Sequence, residues 1–144
     1  GAEERSNPSF AACIAEVAVD SNSAKIKVKK ITVAIDLGLI VNPDSARAQI
    51  EGSILWGLSA CLYEKMTIKN GAVVERNFDA YKWQNVMDLP EIDIHIMENG
   101  LHPTGAGEPA TAIISPAIAN AVFNAVGVRM RKLPIDRAEL LSQL

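Results

Sequence analysis

Phe10 to Val19 is an apolar run and reads as a strand entering a core. Asp20-Ser21-Asn22-Ser23-Ala24 follows as a turn. Lys25 to Ile35 then alternates, with Ile26, Val28, Ile31, Val33 and Ile35 set against Lys25, Lys27, Lys29 and Lys30. That pattern predicts a strand with one wet face and a bulge where Lys29 and Lys30 adjoin. The two strands pair as an antiparallel hairpin whose register the turn leaves open.

Asn42-Pro43-Asp44 opens a helix, with Asn42 as cap, Pro43 at the first position and Asp44 complementing the dipole. It runs to about Leu62, with Ile50, Ile54, Leu58 and Cys61 at core spacing. A second face carries Gln49, Gly52, Ser53, Trp56 and Ala60. Gly52 and Gly57 each weaken a helix by roughly 1 kcal/mol relative to alanine, so something packs close here, either a neighbouring element or a ligand. Tyr63 to Lys69 and Ala72 to Asn77 flank Asn70-Gly71, a strong hairpin signal. Phe78 to Pro90 carries Phe78, Tyr81 and Trp83 without clear period, and Glu91 to Met97 alternates as a half-buried strand. Ser115 and Pro116 predict a helix start running to Val126 and ending at Gly127. Arg129 to Pro134 reads as extended, and Asp136 to Leu141 as a short terminal helix. The sum is one α+β domain over residues 1–144, a small mixed or antiparallel sheet with two main helices.

Composition narrows the function classes. With 144 residues, 49% apolar and 22% charged, the chain is expected to be globular with a real core. A net charge of −3 argues against a nucleic-acid surface or a polybasic membrane patch. Gly1 to Arg5 is polar and lacks the apolar stretch of a signal peptide, leaving cytoplasm and periplasm both open. No apolar run is expected to reach the roughly 20 residues of a membrane span. Cys13 and Cys61 sit in apolar surroundings and read as buried free thiols. Two cysteines cannot hold a four-thiolate iron–sulfur cluster, so any redox role borrows its electron carriers.

The candidate chemistry lies in Gly105-Ala106-Gly107-Glu108-Pro109. Gly105 and Gly107 permit close backbone approach, and Pro109 is expected to hold Glu108 extended. A carboxylate on such a loop, near a helix start, suits a general base at a buried site. The same residues also describe an ordinary glycine-flanked loop.

Three blocks together resemble the C-terminal part of the molybdenum-binding subunit of the xanthine dehydrogenase/aldehyde oxidase family. They are Ile35-Asp36-Leu37-Gly38 through Asn42-Pro43-Asp44, then Ala48-Gln49-Ile50-Glu51-Gly52 with Trp56-Gly57-Leu58, then Gly105 to Pro109 with Ser115 to Ala121. Asn42 to Gln49, with Asn77-Phe78-Asp79, looks closest to the isoquinoline 1-oxidoreductase-like branch and to aldehyde dehydrogenase molybdopterin-binding subunits. The resemblance implies a molybdenum hydroxylase that oxidises an N-heteroaromatic compound or an aldehyde with water-derived oxygen. It implies Glu108 as the active-site base, Gln49 against the molybdopterin cofactor and Gly107 letting the loop pass close to that site. It also implies partners, namely the rest of the molybdenum-binding subunit and iron–sulfur clusters on another subunit or domain. Without them the isolated chain is expected to be inactive and open to self-association. Two positions depart from that branch, Ser53 where a second glycine is common and Ala110 to Ile113 where Gly-Thr-Pro-Pro-like residues are common.

Other residues carry weaker readings. His95 and His102 lack a metal-ligating cluster at coordinating spacing. Asp36 reads as a turn or capping residue. Trp56 shares a face with Gln49, and either lines the cofactor side or packs in the core. Arg129, Arg131, Lys132 and Arg137 form a basic tail, solvated or meeting another subunit. Against the hydroxylase reading stands a non-catalytic assembly module of the same fold. A small hydrolase using Glu108 alone is the poorest reading, because no nucleophile–base pair accompanies it.

Overall fold

Alternation makes the first two strands, β1 (Phe10–Val19) and β2 (Ile26–Asp36), pair antiparallel. This is a computed structural model and it describes residues 9–144, so the polar segment Gly1 to Arg5 lies outside the described residues. Glu16 pairs with Lys30 and Val17 with Val28, which leaves Lys29 as the extra residue of the bulge. The bulge is needed because Val28 and Ile31, three apart, both point into the core. The turn is held by Asp20, whose Oδ1 accepts from the amides of Asn22 and Ser23, both at 2.9 Å. Those amides hold its carboxyl below the ordinary carboxylate range.

β5 (Glu91–Met97) lies on the far side of β2, parallel to it, giving the order β1-β2-β5. Ile92, Ile94 and Ile96 stand beside Ile31, Val33 and Ile35, so one face of the sheet is aliphatic. Between β2 and β5 in sequence come α1 (Pro43–Leu62) and a hairpin of β3 (Ile68–Lys69) and β4 (Ala72–Val73). Asn70 and Gly71 both have positive φ, 52° and 75°, as the tight hairpin turn demands. The strands it joins are shorter than their sequence suggests, two residues each.

In α1 the Asn42 side chain accepts from the Ser45 amide at 2.9 Å. Ile50, Ile54, Leu58 and Cys61 are buried, as their spacing predicts. Replacing Asn42 by alanine is expected to lower stability by about 1 kcal/mol, read as a lower urea midpoint.

α2 (Pro109–Val126) corrects the sequence reading. It starts at Pro109, six residues before the expected Ser115 cap, and Pro116 lies inside it. Pro109 is as good a first residue as Pro116. The choice is made by Ala110, Ile114, Ile118 and Val122, which form one fully buried stripe through both turns. The earlier start also gives an uncharged helix of 18 residues with mean hydropathy 1.3, long and apolar enough to cross a membrane by those measures alone. The expectation that no run approaches that length is therefore corrected. Here α2 is a core helix, packed on β1 and α1. β1 turns Ala11, Cys13 and Ala15 toward the core, small residues that let the helix sit close. Gly127, at φ 73°, ends the helix as predicted.

The C-terminal stretch 129–134 forms no strand, although Met130 within it is buried. α3 (Arg137–Leu141) is capped by Asp136, which accepts from the amides of Ala138 and Glu139. The outcome is the expected α+β arrangement of a small mixed sheet with two main helices.

Candidate functional site

Two chain segments beyond the ends of β2 and β5 run side by side and aim the candidate loop. Asp36, the last residue of β2, accepts from the Gly38 amide at 3.0 Å. Asn99 donates to both of its carboxylate oxygens, at 2.9 and 2.7 Å. The Leu39 amide donates to Leu101 O and the Thr104 amide to Leu37 O, each at 2.9 Å. Gly38 has φ +73°, and a Cβ there would collide with the backbone carbonyl of His102. Only glycine meets both demands. Asp36 is thus a structural clasp, as expected, and the clasp delivers Gly105 to Glu108 to the start of α2.

There the loop meets α1. A Cβ on Gly107 would lie 3.2 Å from Gln49 Oε1, so the Gln49 amide rests against the loop backbone. The three residues singled out by resemblance, Gln49, Gly107 and Glu108, are therefore neighbours at one end of the α1–α2 pair. Below them the two helices are in near-contact at Gly57, where a Cβ would come within 2.8 Å of Thr111 O and 2.9 Å of Ile114 Cβ. The close neighbour expected at Gly57 is thus α2. At Gly52 nothing lies within 4 Å, and the residue faces open space.

Glu108 departs from its expected state in two ways. Its backbone is at φ −120°, ψ −27°, not extended, because it already turns into α2 as the N-cap. Its side chain is exposed rather than buried, since it stands at the helix end beyond the last packed turn. The carboxylate makes no capping hydrogen bond, so its lone pairs are uncommitted to the helix. Trp56 is 64% exposed, which removes the core-packing reading and leaves it on the open side of α1 with Gln49 and Gly52.

Ser53, expected beside Gly52 to leave room for the cofactor, and Thr111 form a pair that the sequence does not display. Ser53 is buried, and its Oγ accepts from the Thr111 amide at 2.9 Å. Thr111 Oγ1 lies 3.0 Å from Ser53 Oγ and 3.0 Å from Ser53 O. The clue in the sequence is a serine beside Ile54 and three residues after Ile50, a polar group on a buried stripe that requires a partner.

The remaining candidates are structural or peripheral. Cys61 is fully buried and Cys13 partly so. Burial pushes both thiols from 9.0 up to about 11, against which the Ser115 hydroxyl acts weakly at Cys61. Neither is therefore expected to be alkylated quickly by iodoacetamide at pH 8, whereas both react in urea; a fast-reacting thiol in the native protein would contradict this. The sign on stability follows, because both folded-state pKa values are raised. The contribution is present below pH 9 and is lost between pH 9.0 and about 11, where the unfolded chain ionises first. His95 and His102 are exposed, and no metal-holding group of three ligands occurs among the described residues. Part of the basic tail is used by the fold, with Arg129 over the Phe123 ring and Arg137 donating to Ser23 O. Arg131 and Lys132 face outward. Phe78 and Trp83 meet edge-on at 5.8 Å and line a shallow hollow with Tyr63 and Tyr81.

Residues 2–90 match the family model described as the molybdopterin cofactor-binding domain. The chain belongs to that family. The match takes in Gln49 and α1. Over 142 residues the chain is 44% identical to a membrane-bound aldehyde dehydrogenase [pyrroloquinoline-quinone] of Gluconacetobacter polyoxogenes, covering 99% of this chain and 18% of that protein. It is 31% identical over 127 residues to the isoquinoline 1-oxidoreductase subunit beta of Brevundimonas diminuta, covering 88% and 16%. A solved aldehyde oxidoreductase of Desulfovibrio desulfuricans ATCC 27774 superposes with a TM-score of 0.80 at 26% identity, covering 93% of this chain and 15% of that one. This molybdopterin-binding domain thus spans under a fifth of the length of those relatives.

The residues present fit such a cofactor. Gln49 offers an exposed amide able both to donate and to accept, as a pterin edge requires. Gly107 beside it presents backbone without a Cβ, and Gly52 and Gly105 have nothing within 4 Å.

Proposed function

We propose that this chain is a single C-terminal domain of the molybdopterin-binding subunit of a molybdenum hydroxylase. The enzyme oxidises an N-heteroaromatic compound or an aldehyde with water-derived oxygen. The observation that carries the reading is the Gln49 amide lying against Gly107, one residue from the uncommitted carboxylate of Glu108. When bound, the molybdenum cofactor supplies the two-electron oxidation. Gln49 orients the pterin through its amide, and Gly107 keeps the loop low enough for that contact. One carboxylate oxygen of Glu108 takes up the proton released as the attacking oxygen bonds to the substrate carbon. Exclusion of water falls to the rest of the subunit, because Glu108 is exposed here. Iron–sulfur clusters on a partner subunit or domain would carry the electrons away, and the domain alone would not turn over.

Metal analysis and native mass spectrometry of the complex from its own host test this. The expected result is a larger assembly carrying molybdenum. A metal-free assembly, or one holding a quinone instead, overturns it. The name of the Gluconacetobacter relative makes the quinone assay worth running on the same sample.

The domain prepared alone is expected to self-associate. Its sheet shows Phe10 and Ile14 on the side away from the helices, 65% and 70% exposed, with Met97 also open. Sedimentation at rising concentration reads this, and a constant monomer counts against it.

A further inference from the structure

The geometry points to Ser53 and Thr111 as positioning residues that set the separation of Gln49 and Glu108, an inference that rests on the roles proposed for those two. Ser53 stands one turn after Gln49 on α1, and Thr111 stands in the first turn of α2, three residues after Glu108. The Thr111 amide is shared between Glu108 O at 3.0 Å and Ser53 Oγ at 2.9 Å. Thr111 Oγ1 closes a second bond to Ser53 O at 3.0 Å. The start of α2 is thereby tied to the middle of α1 through groups one turn from Gln49 and Glu108. The tie is buried on the Ser53 side, where water cannot replace it. Gly57 allows the helices close enough for the tie to form, but it is van der Waals contact and permits sliding. The hydrogen bonds between Ser53 and Thr111 are directional and fix the register along the helix axes.

A base must sit within hydrogen-bond reach of the proton it takes, and a displacement near 1 Å lowers rates by about 100-fold. Loosening this tie acts on kcat, not on substrate affinity. It also leaves the Thr111 amide with Glu108 O as its one remaining partner, so that amide exchanges with solvent faster.

The test uses the full enzyme with Ser53→Ala, Thr111→Val and the conservative Thr111→Ser. Ser53→Ala and Thr111→Val are expected to lower kcat by about 10-fold or more, with KM within about twofold and molybdenum content unchanged. Amide exchange at Thr111 rises in Ser53→Ala, and Thr111→Ser retains kcat within about threefold. Wild-type kcat in both disruptive variants overturns the inference. So does a loss of activity that only tracks lost molybdenum, since that is a merely structural role. Should Ser53→Ala fail to fold, Thr111→Val against Thr111→Ser decides, because serine keeps the hydroxyl of the tie and valine replaces it with a methyl. Glu108→Gln, run in parallel, separates the two levels. If it turns over normally the base reading fails; if it is inactive while both disruptive variants are normal, only the positioning fails.

Discussion

Replacing Glu108 by glutamine in the complete enzyme is expected to lower turnover by about 10³-fold and to leave molybdenum content unchanged. Glutamine keeps the length and shape of the side chain and removes the site that accepts a proton. The substitution disturbs little else, because the Glu108 carboxylate makes no capping hydrogen bond and its backbone enters α2 through main-chain geometry. A rate effect without a cofactor effect is the signature of a base, as opposed to a residue that holds the cofactor. Steady-state kinetics alongside metal analysis of the same preparation reads both. Normal turnover would instead favour the assembly-module reading, in which Glu108 is an exposed loop carboxylate.

Gly57→Val is expected to destabilise the domain by about 3 kcal/mol, while Gly52→Ala is expected to stabilise it by up to about 1 kcal/mol. The two glycines stand five residues apart on one helix and look alike in composition, yet their surroundings differ. At Gly57 an added Cβ falls 2.8 Å from a backbone carbonyl and 2.9 Å from Ile114 Cβ, both inside the closest approach of real Cβ atoms. A carbonyl inside a helix cannot swing aside, so α2 as a whole must shift, and valine adds two further carbons. At Gly52 nothing lies within 4 Å, and alanine only gains helix propensity. Urea titration of the two variants beside the parent checks the contrast. Equal midpoints would mean that the helices do not meet at Gly57. Because one of the two collisions falls on the first turn of α2, at Thr111 O, Gly57→Val is also expected to lower activity in the full enzyme.

What could be read from the sequence was local. The Asn42 cap, the Lys29 bulge, the Asn70-Gly71 turn and the Gly127 stop each depend on residues a few positions apart. The start of α2 was misplaced because Pro109 and Pro116 are equivalent as first residues, and only the burial of Ala110 beneath α1 and the sheet decides between them. The parallel partnership of β2 and β5 has no local mark. Gly107 and Glu108 stand out in the loop sequence and Gln49 only through family resemblance, and their adjacency follows from a helix–helix contact that no periodicity displays. The Ser53–Thr111 tie went unnoticed because its halves are 58 residues apart.

The parallel pairing of β2 with β5 has a consequence for the order of assembly. β1 and β2 join across a tight turn, and α1 forms from its own caps, so the Gln49 side of the site is available early. β5 can dock only after α1, the hairpin and the aromatic stretch have been gathered between the strands, a non-local closure of the kind that folds slowly. The loop bearing Glu108 follows β5 and is clasped to Asp36 only once that strand is home. A chain caught before this step already displays the Gln49 amide, while the loop bearing Glu108 is not yet in place. On the roles proposed for those two residues, receiving the cofactor and becoming competent for chemistry are then separate moments.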